Sequence, residues 1–159
     1  MKILVVSDTH RRLDNLQIVL ERVQPVDMLI HLGDAEGEED YIAQMAGCPM
    51  EIVAGNNDFF SALPREKEIT IGNHRVFITH GHYYDVNSGI MDLRREAIYR
   101  GCDIAMYGHT HRPLIEYTDQ VVIMNPGSLT HPRQEGRRPS YIMMDTDKSG
   151  KIHFEINYL

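Results

Sequence analysis

Short apolar segments that each end in acidic, amide or histidine residues recur along this 159-residue chain. Five polar clusters follow these segments: Asp8-Thr9-His10, Gly33-Asp34, Gly55-Asn56-Asn57-Asp58, Thr79-His80-Gly81-His82 and Gly108-His109-Thr110-His111. Such apolar runs are typical of buried strands, and loops at strand ends can hold ligands. The sequence therefore predicts a sheet edge where oxygen and imidazole groups converge without any thiol.

The first part of the chain alternates between strand and helix patterns. A strand is predicted over Ile3–Val6, and a helix over Leu13–Val23, where apolar residues recur at helical spacing. Two further strands, Met28–His31 and Glu51–Ala54, flank a second short helix over Glu38–Met45. This β-α-β-α-β order predicts parallel strands joined by right-handed crossovers.

Strand patterns predominate in the second part of the chain. Gly72-Asn73 separates two strand-like segments and predicts a hairpin, and a last helix is predicted over Ser88–Arg100. Five more strand-like segments follow: Ile104–Tyr107, Leu114–Tyr117, Val121–Met124, Tyr141–Asp145 and Ile152–Ile156. We expect an α/β fold of two sheets packed face to face with helices outside.

Length and composition predict a single domain over residues 1–159, because 42% hydrophobic content supports one core. The formal charge of −7 disfavours a sequence-independent nucleic-acid binder, whose affinity comes mostly from Lys and Arg. No apolar stretch approaches the roughly 18 residues of a membrane span, and no signal peptide is evident, so we expect a cytoplasmic protein without a membrane partner. Cys48 and Cys102 are expected to be reduced thiols.

A two-metal hydrolytic centre accounts for the polar clusters. Two divalent ions, the carboxylates of Asp8 and Asp34 and one bridging hydroxide leave a net positive charge, which suits an anionic phosphate. Asp8/His10 and His109/His111 are i, i+2 pairs, whose side chains can point to the same side in extended or loop backbone.

In this order, the five clusters resemble the signature of the calcineurin-like metallophosphoesterase superfamily, specifically its small YfcE-type phosphodiesterases. The signature is D-x-H, G-D, G-N-H-[DE], H and G-H-x-H, and the resemblance covers nearly the whole chain. It implies a four-layer α/β/β/α sandwich of two mixed sheets flanked by helices, in agreement with the two sheets expected above.

The resemblance also implies a binuclear metal centre. Seven residues would hold it, Asp8, His10, Asp34 and His111 on the first ion and Asp34, Asn56, His80 and His109 on the second. Asp34 would then bridge the ions, and a metal-bridging hydroxide would attack a small phosphodiester. Mixed oxygen and nitrogen donors suit Mn, Fe, Ni, Co or Zn alike, and the resemblance favours Mn.

Three further residues are candidates for substrate binding. Asn57 can hydrogen-bond a phosphate oxygen, and His82 is either a substrate-facing or outer group or a surface residue. Arg133, after the loop Asn125–Ser128, either makes a forked contact with phosphate or belongs to a solvated basic segment. Three histidines outside the motifs are interpreted as structural: His31, His74 and His153.

The chain departs from the superfamily pattern at two positions. Many members have a His after the ligand Asn, which protonates the leaving group, and an Asp that orients it. Here these positions are Asn57 and Gly37, and an amide cannot act as a general acid near neutral pH. The leaving group would then take its proton from His82 or from water, or it would need no proton because it is acidic. The same His is commonly absent in the YfcE-type branch.

Two alternative functions stay open. A retromer subunit shares the fold, so the chain could be a protein-binding scaffold, but a scaffold has no chemical need for all seven ligands. A nuclease is also compatible with the fold, although the acidic balance disfavours a nucleic-acid polymer and favours a small phosphodiester. A homo-oligomer is compatible with the sequence.

Overall fold

The computed structural model describes residues 1–147 and 150–159, which form ten β-strands and three α-helices. In chain order these are β1 (Lys2–Val6), α1 (Asp14–Val23), β2 (Met28–His31), α2 (Glu39–Ala46), β3 (Met50–Ile52), β4 (Glu66–Ile71), β5 (His74–Thr79), α3 (Met91–Tyr99), β6 (Ile104–Met106), β7 (Pro113–Tyr117), β8 (Val122–Pro126), β9 (Ser140–Thr146) and β10 (Ile152–Tyr158). A short 3₁₀ turn lies at His82–Tyr84.

The strands form two mixed five-stranded sheets. The first has the order β10-β9-β1-β2-β3 and the second the order β4-β5-β6-β8-β7. In the first sheet β1, β2 and β3 are parallel, and in the second β5, β6 and β8 are parallel. Since the carboxyl ends of parallel strands meet at one edge, each sheet gathers its loops there, where α/β proteins bind ligands.

Three buried apolar clusters separate four layers. The helices α1 and α2 share one cluster with Leu4 on the outer face of the first sheet. The second cluster lies between the sheets and contains Ile3 and Val76. The third lies between the second sheet and α3 and contains Phe77 and Leu93. Because neighbouring strand residues point to opposite faces, each sheet is apolar on both sides. The predicted α/β/β/α sandwich is confirmed.

Most element boundaries differ from the predictions by one to three residues, and two of these differences have a clear cause. The third helix begins at Met91 rather than Ser88, because Gly89 has a positive φ angle of 155°, which interrupts a helix. β3 ends at Ile52, since the Ala54 amide donates to the carbonyl of Pro64 at 2.8 Å instead of to β2. Among the described residues, none of the helices combines the length and apolar character that a membrane crossing requires.

Candidate metal centre

The loops that follow five strands meet at one edge of the sandwich. The Asp8 amide donates to the Gly33 carbonyl at 3.0 Å, and the Gly108 amide donates to the His80 carbonyl at 3.1 Å. The structure thereby brings all seven predicted ligands into one connected group: Asp8, His10, Asp34, Asn56, His80, His109 and His111.

Two sets of three side chains have donor atoms close enough to hold a cation. They are Asp8, His10 and His111, and Asp8, Asp34 and His80, and the donor atoms in each set lie within 4.8 Å of one another. His10 Nε2 is 3.8 Å from Asp34 Oδ2, and His80 Nε2 is 3.5 Å from the same oxygen. Asp34 Oδ2 therefore lies near two imidazole nitrogens.

Asn56 and His109 extend the group beyond His80. Asn56 Oδ1 is 3.0 Å from His80 Nε2 and 2.8 Å from His109 Nδ1. The Asn87 side-chain amide donates to His109 Nε2 at 2.8 Å, which fixes the ring from outside. Neutral oxygen and nitrogen donors thus lie beside the Asp34 carboxylate.

Hydrogen bonds also orient the other three imidazoles. His80 Nδ1 donates to the backbone carbonyl of Leu32 at 2.7 Å. His111 Nδ1 donates to the backbone carbonyl of His131, also at 2.7 Å. His10 Nδ1 donates to the Glu36 carboxylate at 2.6 Å. With the proton on Nδ1, the Nε2 lone pair of each ring is directed at the buried carboxylates, the arrangement that metal-binding histidines require.

Asp8 is fully buried and carries an oxygen that suits a cation. Ser7 Oγ and the His109 amide donate to Oδ2 at 2.6 and 3.1 Å. Among the described residues Oδ1 has no hydrogen-bond partner, although His111 Nε2 is 3.0 Å away. Burial raises the pKa of Asp8, but the nearby His80 and His111 lower it more, so this pKa lies well below its usual range. A buried, ionised and unpartnered oxygen facing imidazole nitrogens fits a divalent metal ion.

Left-handed backbone positions most of these side chains. Five of the seven candidate ligands have positive φ angles: Asp8 55°, His10 45°, Asp34 58°, His109 66° and His111 56°. Residues other than glycine rarely adopt this conformation, and it concentrates at functional sites. The i, i+2 pairs therefore converge through tight loops and not through extended strands.

Two glycines allow these loops to approach each other. A Cβ at Gly55 would overlap the carboxylate of Asp34, and a Cβ at Gly108 would overlap the hydroxyl of Ser7. Only glycine fits where backbone packs this closely against a side chain.

Asp58 supports the centre in a way that the sequence did not reveal. Its buried carboxylate accepts hydrogen bonds from the backbone amides of Asp34 at 2.8 Å, Glu36 at 2.6 Å and Gly55 at 2.7 Å. These bonds tie the loop after β2 to the loop after β3. The one available signal was the acidic residue that closes the third polar cluster.

Replacing Asp58 by Ala is expected to lower the free energy of unfolding by about 3 kcal/mol or more, because three buried amides lose a charged acceptor. Asp58→Asn keeps one acceptor oxygen and should lose less. Urea unfolding of both variants measures the difference. Wild-type stability in Asp58→Ala would contradict this role.

Asn57 contacts the candidate bridging carboxylate of Asp34 through both its backbone and its side chain. Its backbone amide donates to Asp34 Oδ1 at 2.8 Å, and its side-chain amide donates to Asp34 Oδ2 at 2.7 Å. Asn57 thus orients Asp34, and its predicted contact with a phosphate oxygen stays a prediction.

His82 lies beside His80 and His109, and Arg133 lines a separate cavity. The His82 ring centroid is 5.4 Å from that of His80 and 6.0 Å from that of His109. Burial lowers the pKa of His82 to about 4, so its ring is neutral near pH 7. Arg133 is exposed and lines a cavity of about 480 Å³ with Thr110, while its backbone amide donates to the His111 carbonyl at 3.0 Å.

The three histidines interpreted as structural lie outside the ligand group. His31 is fully buried, donates through Nε2 to Thr9 Oγ1 at 3.0 Å and accepts from the Gly33 amide at 3.2 Å. His74, the first residue of β5, pairs with Asp103 at 2.5 Å. His153 is exposed. His31 therefore supports the loops that carry Asp8 and Asp34 without joining the ligand group.

His31 is expected to make the fold less stable in acid. Burial lowers its pKa from 6.5 to about 4, so between these values the unfolded chain binds a proton that the folded chain does not. The free energy of unfolding should fall by up to roughly 3 kcal/mol as the pH drops through this window. Urea unfolding across that range should show a flatter pH dependence in His31→Gln and an unchanged one in the exposed control His153→Gln. An unchanged slope in His31→Gln would contradict this assignment.

Comparisons with known proteins agree with this geometry. The chain matches the calcineurin-like phosphoesterase superfamily domain over residues 1–149. It is 32% identical over 145 residues to YsnB of Bacillus subtilis, which is named as a probable metallophosphoesterase, and the match covers 91% of this chain and 83% of YsnB. It is also 32% identical over 145 residues to a phosphodiesterase of Methanocaldococcus jannaschii, with 80% of this chain and 83% of that protein covered.

Solved structures show the same architecture. A Streptococcus pneumoniae protein described as a predicted phosphoesterase superposes with a TM-score of 0.81 at 29% identity, covering 99% of this chain and 88% of that one. Vps29 of Entamoeba histolytica superposes with a TM-score of 0.79 at 23% identity, covering 100% and 99% of the two chains. The likeness to Vps29 is one of fold alone.

Proposed function

Because the chain belongs to the calcineurin-like phosphoesterase superfamily, we propose that it is a metal-dependent phosphodiesterase acting on small phosphodiesters. The observation that carries the proposal is the placement of Asp34 Oδ2 near both His10 and His80, beside the buried Asp8 Oδ1, which lies 3.0 Å from His111 Nε2. Carboxylates arranged in this way, with imidazoles directed at them, favour two cations over a hydrogen-bonded polar core.

Two sets of metal ligands are proposed, and Asp34 belongs to both. The first ion is assigned to Asp8, His10, Asp34 and His111, and the second to Asp34, Asn56, His80 and His109. When bound, two divalent cations supply Lewis acidity toward the phosphate and a nucleophile at neutral pH. The Mn²⁺ identity and the cytoplasmic location stay predictions.

The chain's own residues pre-organise this centre. Glu36 and the Leu32 carbonyl hold His10 and His80 in the orientation that ligation requires. Asn57 donates a hydrogen bond to each carboxylate oxygen of Asp34, which limits the movement of this carboxylate. Outer groups of this kind commonly change metal affinity or activity by about 10–100-fold when they are lost.

Protonation of the leaving group has no assigned donor. Position 57 holds an amide, and Gly37 has no side chain to orient a histidine there. His82 is neutral near pH 7, because burial lowers its pKa to about 4. We therefore expect esters with acidic leaving groups to be the better substrates.

Several observations favour a diesterase over the alternatives. The M. jannaschii relative is named a phosphodiesterase, and all seven candidate ligands are present, which a protein-binding scaffold of this fold does not need. The charge of −7 disfavours a nucleic-acid polymer as substrate.

The proposal is tested by comparing bis(p-nitrophenyl) phosphate with p-nitrophenyl phosphate in the presence of Mn²⁺, Fe²⁺, Co²⁺, Ni²⁺ or Zn²⁺. We expect the diester to be hydrolysed at least about tenfold faster, a difference of about 1.4 kcal/mol in activation free energy, with the highest rate in Mn²⁺. Faster hydrolysis of the monoester would make the protein a monoesterase. Folded protein that hydrolyses neither ester with any of these metals would favour the scaffold.

A further inference from the structure

The loop after β3 exposes two phenylalanines beside the candidate metal centre. The Phe59 side chain is 78% exposed, and Phe60 is fully exposed. Both directly follow Asp58, whose carboxylate is fixed by three backbone amides, so the base of the loop is rigid. Large aromatic groups held in solvent next to a reactive centre are typical of ligand contact and not of core packing.

Phe59 lines a cavity that joins this loop to the centre. The cavity has a volume of about 390 Å³, and Asn56 and His82 connect it to the proposed second metal site. Tyr83, which is 60% exposed, forms another part of the wall. The volume lies within the range of small-molecule sites.

Arg65 adds positive charge to the same cavity. Its guanidinium carbon lies 5.0 Å from the centroid of the Tyr83 ring, and it has no carboxylate partner within 4.0 Å among the residues that the structure describes. In a chain with a formal charge of −7, such an arginine beside an anion-binding centre complements an anionic ligand.

We propose that this cavity binds the base of nucleoside-containing phosphodiesters, with the base stacked on Phe59 and Arg65 contacting oxygen acceptors of the nucleotide. The inference rests on the proposed phosphodiesterase function and narrows its substrate class. Among the described residues Phe59 makes no ring contact, so its face is open to a base. Because every base has a π-face, stacking favours nucleosides over alkyl groups without selecting one base.

Two esters with the same leaving group test the substrate class. The metal-loaded protein should hydrolyse thymidine 5′-(p-nitrophenyl phosphate) with a kcat/KM at least about tenfold above that of methyl p-nitrophenyl phosphate, mainly through a lower KM. Phe59→Ala should remove most of this preference. Phe60→Ala is the matched control, because the neighbouring Phe60 lies outside the 390 Å³ cavity, and it should keep the preference.

Binding of AMP and ribose 5-phosphate, measured by calorimetry, tests the base site without catalysis. Wild-type protein should bind AMP at least about tenfold more tightly than ribose 5-phosphate, and Phe59→Ala should bind the two alike.

If the methyl ester is hydrolysed but neither assay shows a nucleoside preference, this inference fails and the phosphodiesterase proposal stands. If AMP binds preferentially but no diester is hydrolysed, the phosphodiesterase proposal fails, and with it the assignment of a phosphodiester substrate, while the base site itself is supported. Equal effects of Phe59→Ala and Phe60→Ala would overturn the cavity assignment and favour a docking surface for a protein.

Discussion

The variant Asp34→Asn is expected to lose at least about 10³-fold in kcat and to bind fewer than two metal ions. In the wild-type protein, Asp34 Oδ2 lies 3.8 Å from His10 Nε2 and 3.5 Å from His80 Nε2, so one substitution weakens both proposed metal sites. The factor corresponds to the several kcal/mol of transition-state stabilisation that metal centres supply. Activity assays combined with elemental analysis measure both losses.

Variants of residues assigned to one ion provide the control. His111→Gln and His109→Gln should each lose less activity than Asp34→Asn, because each leaves the other ion's ligands intact. Glu36→Gln, which weakens the hydrogen bond to His10 and the ion pair with Arg11, should lose about 10–100-fold in activity. Two bound ions and wild-type turnover in Asp34→Asn would show that Asp34 does not bridge.

The rate is expected to depend steeply on the acidity of the leaving group. Activated aryl diesters should react at least about 10²-fold faster than alkyl diesters, because no side chain at position 57 or 37 supplies a proton. The slope of log kcat against leaving-group pKa measures this dependence. A shallow slope in the wild-type protein would show that another group, with His82 first to be examined, donates the proton.

Installing the absent pair should change that slope. Gly37→Asp combined with Asn57→His should raise rates selectively for poor leaving groups, by up to about 10²–10⁴-fold if the new imidazole reaches the leaving oxygen. The slope is the proper readout, since Asn57→His also removes the side-chain hydrogen bond to Asp34 Oδ2 and is expected to lower all rates. Gly37 has open space around it but a φ of 90°, so Gly37→Asp is expected to reduce stability.

Hydrophobic periodicity was sufficient to predict the layers of the fold. Apolar runs such as Ile3–Val6 became strands buried on both faces, and Gly72-Asn73 became the turn of a hairpin. The order of strands in each sheet was not predictable in this way, because β6 pairs with β8 and leaves β7 at the edge. That arrangement depends on contacts distant in sequence.

The predicted ligands converged because each follows a strand whose carboxyl end lies at the same edge. The sequence could not predict how they converge, since the left-handed backbone at Asp8, Asp34 and His109 arises from bonds between loops. Asp58 was missed for the same reason: its three partners are backbone amides, which carry no sequence signature. Neither the Asn57–Asp34 contact nor the exposure of Phe59 follows from spacing.

The metal content of active protein tests the central claim most directly. Protein stripped with a chelator should not hydrolyse bis(p-nitrophenyl) phosphate, and titration with Mn²⁺ should restore activity with two equivalents bound per chain, measured by elemental analysis on the same samples. Full activity in metal-free protein, or no metal binding by folded protein, would contradict the account.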